Sequence, residues 1–175
     1  MQNPLSSAWY EYSSPGQRKL IETAWLLVEE AKTSSQKHDY SYVLFPLAKA
    51  YEGFLKQYLF DAELIDEPTY NSRKFRIGRA LNPDVSYSQR DNNWLFDDLG
   101  RVCGIEMARK LWETWLDCRN QVFHFFPQHQ QYLTLVQAQD RMEMIADAME
   151  TALACRSQWN KIFKQNQVDR NQYYS

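Results

Sequence analysis

Apolar residues recur every three or four positions along most of this chain, and this spacing constrains the fold more than any other feature. It predicts amphipathic helices over about residues 17–32, 39–60, 104–125 and 134–164. The chain has only 5 Gly and 6 Pro among its 175 residues, too few for a many-turned β-sandwich. We therefore predict an all-α fold.

The chain is long enough to enclose one hydrophobic core, and we divide it into three parts. We expect residues 1–13 to form an N-terminal arm whose aromatic side chains lie against the body or a partner. Residues 14–166 form the helical domain, and residues 167–175 form a flexible tail. The sequence has no basic-then-apolar leader and no apolar run of membrane-spanning length, which predicts a cytoplasmic protein without a membrane partner.

The cysteines and histidines show no pattern that is typical of a bound metal. Cys103, Cys118 and Cys155 are odd in number and widely spaced, which predicts neither a disulfide framework nor a metal-binding pair. The histidines show no ligand spacing, and a Gly-rich phosphate loop is absent from the sequence. We therefore predict no metal and no cofactor. Cys118 falls in the apolar stripe of its helix, which favours an inert buried thiol over a nucleophile.

Basic and acidic residues are nearly equal in number over the whole chain, but they are unevenly distributed in the sequence. The 20 Lys+Arg and 22 Asp+Glu give a formal net charge of -2, which argues against a protein that coats nucleic acid non-specifically. It permits an enzyme whose basic residues gather in one cleft. Residues 71–79 carry four basic side chains and no acidic one, and form either a solvated basic face or a track for RNA phosphates. These candidate RNA-binding residues are Arg73, Lys74, Arg76 and Arg79.

The stretch from Arg119 to His124, Arg-Asn-Gln-Val-Phe-His, lies near the end of the predicted helix at 104–125. Arginine holds a phosphate with a permanent charge and a planar fork of donors. Histidine is well suited to proton transfer near neutral pH. Attack of an RNA 2′-hydroxyl on its own phosphodiester needs both phosphate binding and proton transfer, and it needs no metal. Without such a role, Arg119 would stack on Trp115, and His124 would interact favourably with the helix dipole.

Apolar residues form two strips on this helix rather than one. One core does not need a helix that is apolar over so wide an arc, so the second strip predicts burial against another subunit. Arg119 and His124 are five residues apart and do not point the same way on an ideal helix. The length of arginine and the helix end at Pro127 would still let both reach one phosphate. The first strip is Leu111, Trp115, Cys118, Val122 and Phe125; the second is Trp112, Leu116 and Phe123.

A second polar group lies on the helix predicted at 39–60. Lys49, Glu52 and Lys56 are spaced three and four residues apart, so they share one side of this helix. They are either a surface ladder of ion pairs, worth a few tenths of a kcal/mol, or part of a site.

These residues together resemble the HEPN domains, all-α modules that often act as metal-independent ribonucleases, and most closely the HEPN domain of RNase LS-type toxins. The Arg-polar-x-x-x-His motif at a helix end matches Arg119, Asn120 and His124. The basic-x-x-Glu pair of the earlier helix matches Lys49 and Glu52.

The resemblance implies a HEPN-like bundle of long antiparallel helices that acts as a homodimer, with RNA as substrate and an antitoxin protein as a partner. It implies that Arg119 binds the scissile phosphate and His124 is the general acid or base, oriented by Asn120. Glu52 would then be the second proton-transfer group, and Lys49 a second phosphate contact. The expected product end is a 2′,3′-cyclic phosphate.

Other functions fit the same residues. The acidic pI favours a HEPN-like dimer that binds RNA, nucleotide or protein without cutting. A helical assembly subunit in which Arg119 and His124 have no chemical role is a further alternative. HEPN toxins that a nucleotidyltransferase antitoxin modifies carry a tyrosine two residues after the histidine, whereas this chain has Phe126 there.

Overall fold

Four long helices pack side by side and enclose the hydrophobic core. We describe a computed structural model that covers residues 4–34, 37–125, 127 and 132–173. Its regular structure is helical, with no strand in the part of the chain described, which confirms the all-α prediction. Among the helices of these residues, none is both long enough and apolar enough to cross a membrane.

The N-terminal arm packs on its own chain through its aromatic residues. A 3₁₀ turn (Pro4–Ser6) leads into helix α1 (Ala8–Tyr12). Trp9 is buried, and the Tyr12 hydroxyl donates a hydrogen bond to Asp61 at 2.8 Å. Of the two alternatives that the sequence left open, the arm therefore lies against the body.

Helices α2 (Pro15–Thr33) and α3 (Ser41–Asp61) form an antiparallel pair. Gln17 at the start of α2 lies close to Gly53 in the second half of α3. Helix α3 is the centre of the bundle, because its buried residues surround most of its circumference. They are Val43, Leu44, Pro46, Leu47, Ala48, Ala50, Tyr51, Phe54, Leu55, Tyr58 and Leu59.

Three short helices connect α3 to the helix that carries the Arg-His motif. They are α4 (Glu67–Asn71), α5 (Ile77–Ala80) and α6 (Phe96–Cys103), with a 3₁₀ turn at Tyr87–Gln89. Gly104 follows α6 with a φ of 84°, a left-handed conformation that glycine adopts without strain. It therefore separates α6 from the next helix.

The predicted motif helix is present, but it is not a uniform α-helix. It consists of α7 (Ile105–Trp115), a π-helical turn (Leu116–Asn120, the π segment) and α8 (Gln121–Phe123). We call these three parts together the motif helix. It ends at Phe123, two residues before the predicted end, so its last predicted core residue, Phe125, is 74% exposed.

Helix α9 (Leu135–Tyr173) runs antiparallel to the motif helix and extends beyond residue 164, where the apolar spacing predicted its end. Lys110 near the start of the motif helix pairs with Asp147 at 2.7 Å, whereas Cys118 further along contacts the carbonyl of Arg141. With the α2–α3 pair, this arrangement makes the domain a bundle of long antiparallel helices.

The cysteines differ from the prediction. Cys103 and Cys155 form a disulfide, so the expectation of no disulfide was wrong for this pair. The two residues are 52 positions apart and meet because the end of α6 lies beside α9, a proximity that sequence spacing cannot report. Cys118 is a free, buried cysteine, and burial raises the pKa of its thiol to about 12. Its thiol therefore stays protonated near neutral pH, as expected for an inert buried cysteine.

The disulfide predicts a stepwise thiol count. Ellman's reagent should find no reactive thiol in the folded protein, because Cys118 is buried and protonated. Denaturant without reductant should expose one thiol, and denaturant with reductant should expose all 3 cysteines of the chain. If all of them react without reductant, the pair is reduced, which is the state that a reducing cytoplasm favours.

Candidate active site

A cleft of about 580 Å³ opens between α3 and the end of the motif helix. Lys49 and Glu52 of α3 line one side of it. Arg119 and His124 of the motif helix line the other. The structure therefore brings four of the five predicted catalytic residues to one cavity. The other lining residues are Phe45, Ala48, Gly53, Lys56, Phe75, Ile77 and Phe123.

Arg119 and His124 approach each other at the end of the motif helix. The backbone N–H of Gln121 donates to the carbonyl of Leu116, five residues earlier, instead of four residues earlier as in an α-helix. Arg119 belongs to this π segment, whereas His124 follows the last helical residue, Phe123, with an extended backbone. Arg119 Nη1 lies 3.5 Å from His124 Nε2. The divergence expected from an ideal helix does not occur.

Two neighbours hold the Arg119 side chain in the cleft. Its Nε donates to Glu52 Oε2 across the helix interface at 3.2 Å. Its guanidinium lies over the ring of Trp115, 5.6 Å from the ring centroid. The predicted stack on Trp115 is therefore present, and it accompanies the contacts to Glu52 and His124. The Arg119 side chain is one-third exposed, so a ligand in the cleft can reach it.

Trp115, which supports Arg119, is itself held by close packing. Its ring stacks on Trp112 at 5.4 Å and lies against Gly78 of α5. A Cβ atom at Gly78 would lie 2.1 Å from Cη2 of Trp115. The buried indole N–H of Trp115 has no hydrogen-bond partner among the described residues, so the ring position depends on shape alone. Gly78 is a site-supporting residue that the sequence analysis missed, since its role depends on a distant ring.

His124 is exposed at the end of the motif helix. It is the C-cap of α8, with extended backbone angles of -107° and 135°. Nε2 of His124 lies 3.5 Å from Arg119 Nη1. An imidazole that lines a cleft beside a cation can exchange a proton with a bound substrate. Its helix-terminal position, expected if the residue has no chemical role, is compatible with this use.

Asn120 is the predicted catalytic residue that the structure does not place on the cleft wall. It is half-buried within the π segment. Lys49 lines the cleft and is exposed. Lys56, which the sequence grouped with Lys49, is half-buried, and its ammonium donates to the carbonyl of Ser72 at 2.8 Å. Lys49 is therefore better placed than Lys56 to contact a bound anion.

The basic run borders a second, smaller cavity of about 180 Å³. Lys74, Arg76 and Arg79 line it, whereas Arg73 does not. Arg79 is paired with Asp91 at 2.7 Å and is therefore partly neutralised. Phe75 lines both cavities, so the basic run adjoins the main cleft.

Three aromatic residues of the cleft were not among the predicted site residues. Phe45 and Phe123 meet edge to face, with ring centroids 5.2 Å apart, and Phe75 also lines the cleft. Phe45 could have been recognised, because it precedes Lys49 by four residues and therefore shares its helix face. Phe75 and Phe123 reach the cleft only through the packing of the elements that carry them.

The second apolar strip of the motif helix is partly used inside the chain. Trp112 is 8% exposed and packs on Trp115 of its own chain, so its burial requires no other subunit. Leu116 and Phe123 are half-buried. The inference that the whole strip needs a partner was therefore wrong for Trp112, because two stacked indoles cover a wider arc than one strip.

Comparison of the chain with protein-family models, curated proteins and solved structures found no significant match. The likeness to HEPN domains thus depends on the motif residues themselves. Among the described residues, no group of three or more His, Cys, Asp or Glu side chains is arranged to hold a metal ion. Phe126, which bears on modification by a nucleotidyltransferase, lies outside the described residues.

The packing of Trp115 against Gly78 predicts a large effect of a single methyl group. Gly78→Ala should destabilise the fold by about 1–3 kcal/mol, because the buried ring must move to admit the Cβ atom. Gly16→Ala is the matched control, since a Cβ atom there meets nothing within 4 Å. Denaturant unfolding followed by tryptophan fluorescence compares the two. Equal stability of both variants would contradict the packing argument.

Proposed function

We propose that this protein is a metal-independent endoribonuclease that cleaves RNA by attack of a 2′-hydroxyl on the adjacent phosphodiester. The observation that carries the proposal is the contact between Arg119 and His124 in an open cleft. It joins a permanent cation to a proton-transfer group, and this reaction needs both. The 3.5 Å separation is short enough for one phosphate and its neighbouring hydroxyl to contact both side chains.

In the proposed reaction, His124 and Glu52 transfer the two protons. One group removes the proton of the 2′-hydroxyl, and the O2′–P bond forms as the P–O5′ bond breaks. The other group delivers a proton to the departing 5′-oxygen. The products are a 2′,3′-cyclic phosphate and a 5′-hydroxyl end, so atoms and protons balance without water or a metal.

Arg119 stabilises the negative charge that builds on the phosphate oxygens during this step. In the structure Glu52 accepts from Arg119 Nε, while Nη1 of the same guanidinium faces His124. A bound phosphate would compete with Glu52 for Arg119 and release the carboxylate for proton transfer. Lys49 contributes a second phosphate contact, and Asn120 orients His124 through the backbone of the π segment.

The distribution of charge supports an anionic ligand. The described residues lining the cleft include the cations Lys49, Lys56 and Arg119 but a single carboxylate, Glu52. The chain as a whole has a net charge of -2, so the local balance has the opposite sign. Lys74, Arg76 and Arg79, which line the adjoining smaller cavity, extend the path for RNA phosphates, and Arg73 precedes them in the chain.

The proposal includes a homodimer and a biological role as a toxin or defence effector restrained by an antitoxin protein. Leu116 is half-buried on the motif helix, and a second copy of this helix packed against it would place two clefts together. A non-catalytic dimer that binds RNA, nucleotide or protein is the second candidate. The Arg119–Glu52 ion pair favours it, because it occupies the carboxylate that the proposed reaction needs for proton transfer.

The central test is replacement of the histidine. His124→Ala should lower the cleavage rate by about 10²–10⁴-fold while RNA affinity and stability stay nearly unchanged, because the side chain is exposed. Arg119→Lys should also lose most activity, since one ammonium cannot reproduce the guanidinium fork. Single-turnover cleavage of labelled RNA, with excess EDTA present throughout, measures both.

His38→Ala is the matched control, because His38 is also exposed and lies outside the cleft. It should cut at the parental rate. Cleavage that requires added Mg²⁺ would overturn the mechanism, and parental activity in His124→Ala would place the active site elsewhere. A wild-type protein that binds RNA without cutting it would favour the binding module.

The Glu52→Gln variant distinguishes two roles of Glu52, which are positioning Arg119 and transferring a proton. Glutamine keeps an oxygen that can accept from Arg119 Nε, but it cannot exchange a proton in the reaction. We expect a rate loss of about 10²-fold or more with unchanged RNA affinity, measured by single-turnover cleavage and by equilibrium binding. Glu113→Gln, on the exposed surface of α7, is the control. Full activity in Glu52→Gln but not in Glu52→Ala would make Glu52 a positioning residue for Arg119.

A further inference from the structure

The aromatic residues at the mouth of the cleft lie where apolar side chains are otherwise unfavourable. Phe45 is 53% exposed although it belongs to α3, the most buried helix of the bundle. Phe123 is half-buried and immediately precedes His124. The two rings are perpendicular, at 89°, with centroids 5.2 Å apart, so a flat ligand lying on one ring meets the edge of the other.

This aromatic pair adjoins the phosphate-binding side chains. Phe45 is one helical turn before Lys49, and Phe123 is next to His124; all four residues line the cleft. A ligand that reaches both groups must combine a flat apolar face with a negative charge a few ångströms away. A nucleotide has this combination, since its base stacks on aromatic rings while its phosphate binds cations.

We infer that Phe45 and Phe123 form a base-binding subsite that holds one unpaired nucleotide next to the phosphate bound by Arg119. The inference rests on the proposed function and specifies its substrate class, which is RNA that is single-stranded at the point of cleavage. A base within a duplex is covered on both faces by its neighbours and cannot stack on a protein ring without leaving the helix. The excess of cations around the rings favours this ligand over a protein partner, which would need no phosphate contacts.

Binding of an RNA that cannot be cut tests the subsite independently of catalysis. The probes are fluorescent 2′-fluoro oligonucleotides of roughly eight nucleotides, each lacking the base at one successive position. For the wild-type protein, loss of the base at one position should raise the Kd by about fivefold to a hundredfold, the range for base–aromatic stacking. In Phe45→Ala the loss of that base should change the Kd little, because its stacking partner is gone. Phe45→Trp should restore the dependence.

Phe60→Ala is the matched control. Phe60 lies on the same helix, is 36% exposed and stacks on Tyr70 away from the cleft. This variant should retain the wild-type dependence on the base. A Kd that rises equally in wild type and Phe45→Ala when the base is lost would overturn the subsite. So would unchanged RNA binding together with a change of oligomeric mass in Phe45→Ala, which would make the rings a protein contact.

The outcomes keep this inference separate from the proposed function. A protein that shows the base dependence on 2′-fluoro RNA but leaves ordinary RNA intact retains the subsite and loses the ribonuclease assignment. A protein that cuts ordinary RNA but shows no coupling between Phe45 and any base retains the ribonuclease and loses the subsite. Cleavage of a blunt duplex as fast as of the single strand would also overturn the inferred substrate class.

Discussion

The candidate site depends on the contact between Arg119 Nη1 and His124 Nε2, which are 3.5 Å apart. The motif helix changes its hydrogen bonding at Arg119, where the backbone N–H of Gln121 donates to the carbonyl of Leu116, and it ends just before His124. Single π-helical turns within α-helices are frequent at functional sites, because they redirect a side chain without ending the helix.

Arg119 and His124 can form a site only if α3, on the opposite side of the cleft, is held in a fixed position relative to the motif helix. Two buried tyrosines of α3 provide this: the Tyr51 hydroxyl donates to the carbonyl of Leu111 at 3.0 Å, and the Tyr58 hydroxyl donates to the carbonyl of Ala152 at 2.9 Å. Burial raises the pKa of both hydroxyls, so they remain protonated donors. These bonds tie α3 to the motif helix and to α9. They keep Glu52, the residue after Tyr51, opposite the motif helix.

Arg119 is held both by packing on an aromatic ring and by an ion pair. Trp115, whose ring supports Arg119, is positioned by packing against Gly78. Glu52 forms an ion pair with Arg119 in which both side chains remain partly exposed to solvent. An ion pair about one-third exposed contributes little to stability, since water screens it. Its consequence is therefore mainly geometric: it directs the guanidinium into the cleft. The same geometry suits an arginine that waits for a phosphate, as the proposed function requires.

The sequence by itself determined the helices and the chemical groups of the site. Apolar spacing is a local property, so it predicted the long helices, the buried Cys118 and the shared face of Lys49 and Glu52. The structure decided which groups meet. The disulfide between Cys103 and Cys155 depends on contacts between segments far apart in the chain.

The same holds for the shape of the site. The π turn, the burial of Trp112 and the exposure of Phe125 follow from where the motif helix changes its hydrogen bonding and ends. The approach of Phe45 to Phe123 follows from the alignment of two helices. Periodicity tells which face of a helix is apolar. Which residue lies opposite that face, and where the hydrogen-bond register changes, is decided by packing across the whole core, which no local pattern contains.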